Sequence, residues 1–277
     1  MYRGPVYALD PAMPVLLRPD GAVQVGWDPR RAVLVRPPEG LSAQALACVL
    51  QAMTSPMTRA QAHTLAGVDG FGAVFDGLVG AGVLRSPVSS SSGRALSIRV
   101  HGAGPLTDLM SEGLRCSGAR VSSSSHTNAA AAAGVDLVVL ADWLAADPRL
   151  LRDLHTAAVP HLPVRVRDGV GLIGPLVIPG VTSCLVCADL HRTERDPAWP
   201  ALSAQLREVI GCADHPTVLA TAALALGQLA RIIAGVRVGS GPAPVFDTTW
   251  EVDVAAQSIS ARRWPRHPLC GCWPAHG

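Results

Sequence analysis

Two short cysteine pairs, far apart in the chain, constrain the fold more than any other feature of the sequence. Cys184 and Cys187 form a C-x-x-C pair, and Cys270 and Cys272 form a C-x-C pair near the end of the chain. Four thiolates suit a closed tetrahedral zinc site, which leaves no coordination position open for chemistry. We therefore expect a structural zinc ion that ties the last strands of the chain to the loop around Cys184.

A redox-active pair, or two unrelated pairs, are the alternatives. A redox C-x-x-C motif is expected at the start of a helix directly after a strand, whereas Pro179-Gly180 and a loop precede Cys184. The presence of a second pair also favours a metal. The other cysteines lie in helix-like or apolar segments, which is typical of core or bystander thiols: Cys48, Cys116 and Cys212.

The composition narrows the class of protein. The chain has 277 residues, 49% of them hydrophobic, and a formal net charge of +2. Ala, Val, Leu and Gly dominate, and such small side chains pack closely where helices cover a sheet, which favours an α/β fold. No basic block suggests nucleic acid as a partner. The chain contains no lysine, which excludes a Walker-type phosphate loop and Schiff-base catalysis.

Two further features bear on cellular location. Residues 1–9 lack an apolar core of signal-peptide length. The longest apolar run, residues 217–230, is interrupted by polar residues and glycine and is shorter than the roughly 20 residues of a membrane span. We expect a soluble, cytoplasmic protein.

The first third of the chain has its own pattern. Three short apolar strands are predicted, followed by three helices; the strands lie near residues 15–17, 22–27 and 32–36, and the helices near 42–53, 58–65 and 71–81. Ser42 is placed to cap the first helix. This layout predicts a winged-helix-like module over residues 1–87, and the Pro- and Ser-rich residues 88–94 are typical of a linker.

The remaining residues, 95–277, have a different pattern. Predicted strands alternate with helices through the first half of this segment: strands near 96–101, 119–122, 135–140 and 161–166, and helices before residue 116 and near 148–157. Helices near 201–210 and 217–234 and strands near 250–254 and 257–262 follow. The alternation predicts a doubly wound, mostly parallel sheet of the Rossmann-like type.

A glycine turn follows the first strand of this second segment. Gly102-Ala103-Gly104 is a weak nucleotide-binding signal, because Thr107 stands where a full fingerprint has a third glycine. Pro105 also removes an N–H that would otherwise face a phosphate. The alternative is a plain turn from sheet to helix that binds no ligand.

Residues 174–187, with the sequence GPLVIPGVTSCLVC, are followed by Arg192 and by a late His267-Pro268-x-Cys-x-Cys element. Together they resemble the E1-like (ThiF/MoeB) superfamily. The resemblance is greatest to a divergent branch, the leader-peptide-binding partners of azoline-forming cyclodehydratases in ribosomal peptide natural-product pathways. In that branch a small winged-helix peptide clamp precedes the E1-like domain, so the resemblance covers nearly the whole chain.

The resemblance implies the four-cysteine zinc site, with His267 supporting it and Arg192 anchoring the nearby loop. It does not imply adenylation, because active members carry an intact glycine loop, an acidic ribose ligand, and Arg and Lys on the phosphates. Asp142 stands either where an active member's aspartate assists Mg-ATP or as the N-cap of the segment at Trp143. We treat Gly102, Gly104 and Asp142 as a vestigial nucleotide site, and ATP is not expected.

The clamp implied by the resemblance would bind a precursor peptide as an added strand at the edge of the small sheet. The candidate contact residues are apolar, and each equally suits the core of the module: Val33, Val35, Leu46, Val49 and Leu50.

Three functions remain open at this point. The first is an E1-like protein that binds a leader peptide and presents it to a cyclodehydratase-like enzyme, with no catalytic residue of its own. The second is an active adenylyltransferase. The third, a winged-helix DNA regulator, is disfavoured because residues 42–53 carry no cation and residues 58–65 carry only Arg59. Relatives of the first two kinds are often homodimers.

Overall fold

A computed structural model describes residues 4–86, 95–125, 134–238 and 246–272, with side chains described except for 234–238. The chain divides into two units between Ser92 and Gly93. The predicted linker, residues 88–94, lies outside the described residues.

The N-terminal unit contains two small antiparallel sheets and three helices. One sheet has the order β2-β3-β4, and the other has the order β5-β1-β6. The strands are β1 (Val6–Leu9), β2 (Val15–Leu17), β3 (Val23–Val25), β4 (Val33–Val35), β5 (Met57–Thr58) and β6 (Leu84–Arg85). The helices are α1 (Ala43–Ala52), α2 (Arg59–Ala66) and α3 (Phe71–Gly80).

Local capping explains where these helices begin. The Ser42 side chain accepts a hydrogen bond from the Ala45 N–H, as predicted. Thr58 and Gln61 form a reciprocal capping box at the start of α2. The helices bury an apolar core in which Phe75 packs edge-on against Tyr7, with ring centroids 5.1 Å apart.

The C-terminal unit is built on one seven-stranded sheet with the order β13-β12-β11-β10-β9-β7-β8. Its strands are β7 (Ser97–His101), β8 (Arg120–Ser124), β9 (Leu137–Ala141), β10 (His161–Arg167), β11 (Val170–Ile173), β12 (Thr248–Asp253) and β13 (Ser258–Arg263). Strands β8, β7, β9 and β10 are parallel, whereas β11, β12 and β13 pair antiparallel. The sheet is therefore mixed, and the prediction of a mostly parallel sheet holds for one half of it.

The antiparallel half begins at a tight hairpin that the sequence interpretation missed. Asp168 and Gly169 join β10 to β11, and both have positive φ, 52° and 78°. Two consecutive residues of this kind form the type I′ turn that favours Asp-Gly, because its twist matches that of the flanking strands. The Asp168-Gly169 pair was therefore a readable signal for the reversal of direction.

The helices of this unit are α4 (Pro105–Cys116), α5 (Pro148–Thr156), α6 (Leu185–Arg195), α7 (Trp199–Leu206) and α8 (His215–Val238). Helices α4 and α8 pack on one face of the sheet, α5 and α6 pack on the other, and α7 lies against α6. Every residue of β9 is buried, and its side chains alternate between two clusters. Leu137 and Val139 join the core under α4 and α8, whereas Val138 and Leu140 join the core under α5 and α6.

Helix α8 is long and apolar enough, by length and hydropathy alone, to cross a membrane over residues His215–Ile233. Its position gives a simpler reason for that composition. Val218, Ala222, Ala225 and Leu229 are buried in the core shared with α4 and the sheet. The apolar stretch therefore has the position of a core helix.

Candidate functional site

The four predicted cysteine ligands meet in one place. The Cys184 sulfur lies 3.7 Å from that of Cys187 and 3.5 Å from that of Cys270, and the Cys187 sulfur lies 3.5 Å from that of Cys272. All four sulfurs lie within 4.8 Å of one another. Sulfurs bound about 2.3 Å from a tetrahedral metal lie about 3.8 Å apart, whereas a disulfide holds them at about 2.05 Å. The cluster therefore fits a metal ion and not a pair of disulfides.

Helix α6 places the first pair. Cys184 is the N-cap residue of α6, and Cys187 lies in its first turn. The sequence pattern predicts no helix at residues 185–195, whereas the loop that it predicts before Cys184 is present. That loop is fixed by the Thr182 hydroxyl, which accepts the Ile178 N–H at 2.8 Å, and by the Ser183 N–H, which donates to the Asp247 carboxylate at 2.6 Å.

The thiols influence one another strongly. Burial is the main cause that raises the pKa of Cys272 to about 12. The hydrogen bond from Cys184 to Cys187 raises the pKa of the donor and lowers that of Cys187 to about 4. Packing further thiolates here without a cation is unfavourable, because like charges would then face one another in a partly buried site. A bound metal cation supplies the missing positive charge.

A histidine–carboxylate pair holds the second cysteine pair against α6. His267, which is buried, faces Glu194 with 2.8 Å between its Nε2 and a carboxylate oxygen. His191 lies 3.6 Å from the other oxygen of Glu194 and 3.0 Å from the Pro265 carbonyl. The hydrogen bond with His267 is the main cause that lowers the pKa of Glu194. Glu194 therefore anchors the segment that carries the C-terminal cysteines.

Arg192 forms a second anchor. Its guanidinium lies 5.1 Å from the ring of Trp199 and 4.5 Å from that of Trp264. It also donates to Asp189 at 2.9 Å, and Asp189 accepts the Trp199 indole N–H at 3.0 Å. The two aromatic faces favour a cation between them. Arg192 thus ties α6 to α7 and to the segment that leads to the second cysteine pair.

The glycine turn is closed by the protein itself. The Asp142 carboxylate, which is buried, accepts the backbone N–H groups of Leu106 at 3.0 Å and Thr107 at 3.1 Å, and the Thr107 hydroxyl at 2.5 Å. A Cβ at Gly104 would lie 2.8 Å from this carboxylate. Amides at a helix N-terminus are a common anion site, and here the anion is Asp142.

This geometry changes the interpretation of three predicted residues. Asp142 caps α4 and not the segment at Trp143, so that alternative was wrong. Gly102 and Gly104 are needed because Thr107, Ala141 and Asp142 approach their backbones closely. The first turn of α4 therefore has two of its N–H groups engaged before any phosphate arrives.

The structure places the predicted peptide-contact residues in the core of the N-terminal unit. Leu46 and Leu50 have no exposed surface, Val35 and Val49 are buried, and Val33 is half-buried. Their alternative role, as core residues, is the one that the structure supports. The remaining residue of β4, Leu34, is 57% exposed.

Neither a protein-family model nor a curated protein sequence matches the chain, but solved structures do. A heterocyclase in complex with substrate and cofactor has a TM-score of 0.67 at 15% identity over 97% of this chain. The heterocyclase TruD has a TM-score of 0.66 at 17% identity over 97% of this chain. MccB from E. coli with ATP has a TM-score of 0.59 at 12% identity, over 97% of this chain and 100% of that chain.

The chain has the fold of these proteins. The predicted resemblance to E1-like proteins of this kind is therefore confirmed as a likeness of fold. The chain spans 40% of the length of the first heterocyclase and 43% of that of TruD.

Proposed function

We propose that this chain binds a precursor peptide of a ribosomal natural product and presents it to a modifying enzyme, without activating the peptide itself. The observation that carries the proposal is the likeness of 97% of the chain to a heterocyclase in complex with substrate. The modifying enzyme would be cyclodehydratase-like. Residues 1–87 would form a winged-helix-like peptide clamp, residues 88–94 a linker, and residues 95–277 the E1-like domain of a cytoplasmic, homodimeric protein.

Two observations support a role without adenylation. Asp142 engages the amides at the N-terminus of α4, where a phosphate would otherwise bind. The chain also has no lysine to stabilise a triphosphate. The likeness to MccB with ATP supports the alternative of an active adenylyltransferase.

The peptide would add to β4. In the described part of the chain β4 pairs only with β3, so its other edge has unpaired backbone N–H and C=O groups. Helix α1 packs against β2 and β3. A shallow groove of about 500 Å³ is lined by Glu39 and Gly40, which come shortly after β4 in the chain, and by residues 67–70. An extended peptide on β4 would gain main-chain hydrogen bonds and could continue into this groove.

Leu34→Glu is expected to weaken binding of the precursor peptide about tenfold, because a charge would replace an exposed apolar contact at the docking edge. Leu16→Glu is the matched control. Leu16 and Leu34 both pair with Gln24 of the central strand β3 and therefore lie on the same face of the sheet, and both are exposed. Leu16, however, is on β2, at the other edge of the sheet. Fluorescence anisotropy with a labelled peptide encoded beside this gene measures both affinities. Equal losses for the two variants, or no binding to the wild type, would contradict the proposal.

The metal in the cysteine cluster is proposed to be zinc with a structural role. Four sulfur donors form the ligand set that structural zinc prefers, and they leave no position for substrate. The backbone N–H of His267 also faces the Cys187 sulfur. Such hydrogen bonds orient a ligand and stabilise its thiolate.

The affinity for zinc is expected to rise with pH. The raised pKa values of Cys184 and Cys272 mean that these thiols keep their protons at neutral pH in the metal-free protein. Zinc binds thiolates, so its uptake releases protons, and a higher pH favours the bound state. Competition against a chromophoric chelator between about pH 6.5 and about pH 8 measures this dependence. If the affinity for zinc stays constant over this range, after correction for the pH dependence of the chelator, the cysteine ligands are already ionised in the metal-free protein.

A further inference from the structure

A second group of metal-ligating side chains lies in the same unit as the cysteine cluster. His191 and Glu194 are on α6, and His267 precedes the second cysteine pair. Each side chain offers one donor atom, and these three atoms all lie within 4.8 Å of one another. This group, the histidine–carboxylate cluster, shares no side chain with the proposed zinc site.

The spacing of the donors fits one metal ion. One carboxylate oxygen of Glu194 lies 2.8 Å from Nε2 of His267, and the other lies 3.6 Å from Nδ1 of His191. Nitrogen and oxygen ligands bound about 2.1 Å from a metal lie about 3.0–3.5 Å apart. Residues three positions apart on a helix are neighbours on its surface, as His191 and Glu194 are. Small side-chain movements would therefore place all three donors around one ion.

The hydrogen bond of His191 directs its second nitrogen at the cluster. The Pro265 carbonyl lies 3.0 Å from Nε2 and can only accept, so Nε2 carries the proton. In the neutral ring Nδ1 is then an acceptor, and the Glu194 carboxylate that it faces is also an acceptor. A positive charge between these two atoms, either a proton or a metal ion, removes the mismatch. A metal-ligating histidine typically donates its other N–H to a carbonyl or a carboxylate, as His191 does to Pro265.

His267 becomes a ligand when its proton moves to the other nitrogen. The Leu269 N–H donates to Nδ1 at 3.1 Å, so Nε2 of the neutral ring carries the proton and donates to Glu194. A metal at Nε2 requires the tautomer that is protonated at Nδ1. The Leu269 N–H would then turn to water, since Leu269 is 81% exposed. The ring stays neutral, so this change releases no proton.

We propose that His191, Glu194 and His267 bind a second divalent transition-metal ion, such as Co²⁺, Ni²⁺ or Zn²⁺, through two imidazoles and one carboxylate. Such ligands suit these ions. The Glu194 side chain is 61% exposed, which gives the ion a path and leaves room for water ligands. The ion ties α6 to the segment that leads to the second cysteine pair.

The second ion is held less tightly than the proposed zinc, because three donors at an exposed site replace four thiolates in a more enclosed one. Dialysis against a mild chelator is therefore expected to empty the histidine–carboxylate cluster and to leave zinc at the cysteines. This difference allows the two sites to be measured separately.

Titration of Co²⁺ into the zinc-loaded, dialysed full chain, followed by calorimetry and by visible absorption, tests the proposal. One further equivalent of Co²⁺ is expected to bind saturably. Its absorption should lack the thiolate charge-transfer bands that appear when Co²⁺ replaces zinc among cysteines.

Glu194→Gln keeps the size of the side chain and an oxygen that accepts the His267 N–H, but it removes the charge of the ligand. It should raise the Kd for Co²⁺ by more than the roughly tenfold that loss of an outer hydrogen bond costs. His191→Ala should have an effect of the same size, because it removes another ligand.

His215→Ala is the control, because His215 is an exposed histidine at the start of α8 that is not part of the cluster. Its Kd should equal that of the wild type. The proposal is overturned if no further equivalent binds, if thiolate bands accompany the binding, or if Glu194→Gln keeps the wild-type Kd. An equal loss of affinity in His215→Ala and Glu194→Gln also overturns it, since the ion would then be adventitious.

Discussion

Replacing Cys184 with serine is expected to remove the bound metal and to lower the unfolding temperature of the C-terminal unit. The variant leaves three sulfurs where a closed site requires four, and it removes the thiol that contacts both Cys187 and Cys270. Because metal binding is coupled to folding, the lost affinity appears as lost stability, with an expected decrease of about 3 kcal/mol or more in the free energy of unfolding. Elemental analysis and calorimetric unfolding of the same preparation measure both effects.

Cys212→Ser is the matched control for this change. Cys212 lies in the same unit, is exposed, and is not among the four clustered cysteines. It should keep the metal content and the unfolding temperature of the wild type. A Cys184→Ser protein with a full equivalent of zinc and wild-type stability would show that the cysteine cluster is not the metal site.

Replacing Asp142 with alanine is expected to destabilise the C-terminal unit by about 3 kcal/mol or more. The change removes the acceptor for two N–H groups at the start of α4 and for the Thr107 hydroxyl, all in a buried position. Each buried donor left without a partner costs about 1–3 kcal/mol. Thermal unfolding, with and without Mg-ATP, measures the effect.

Asp168→Ala is the control that isolates these hydrogen bonds. Asp142 and Asp168 both have positive φ, 69° and 52°, so alanine meets the same backbone conformation at each position. The Asp168 side chain is exposed, and we expect its loss to cost about 1 kcal/mol. Equal losses of stability in the two variants would show that the loss comes from the backbone conformation and not from the hydrogen bonds of Asp142. If Mg-ATP raises the unfolding temperature of the wild type but not that of Asp142→Ala, the result favours the alternative of an active adenylyltransferase.

The features that the sequence predicts well depend on neighbouring residues. The limits of β2 and the cap of α1 at Ser42 follow from local apolar patterns and turn chemistry. The cysteine cluster was predictable for a different reason. Metal ligands must be specific residue types, so their spacing alone indicates that Cys184 and Cys187 meet Cys270 and Cys272.

The features that the sequence did not predict depend on distant partners. Asp142 and Leu106 are 36 positions apart, and only the parallel sheet brings the end of β9 beside the start of α4. The pairing of His267 with Glu194 likewise needs the chain to return to α6. The cavity lined by Arg149, Arg152, Arg165 and Arg207 collects residues from β10, α5 and the region after α7, and no local pattern marks such a convergence.

Calorimetric titration of the precursor peptide into the purified full chain, run with and without Mg-ATP, tests the proposed function most directly. The account predicts saturable binding with the same affinity and the same heat in both titrations, because the chain holds the peptide without activating it. The absence of saturable binding, or a continuing heat of reaction that requires both peptide and Mg-ATP, would contradict it.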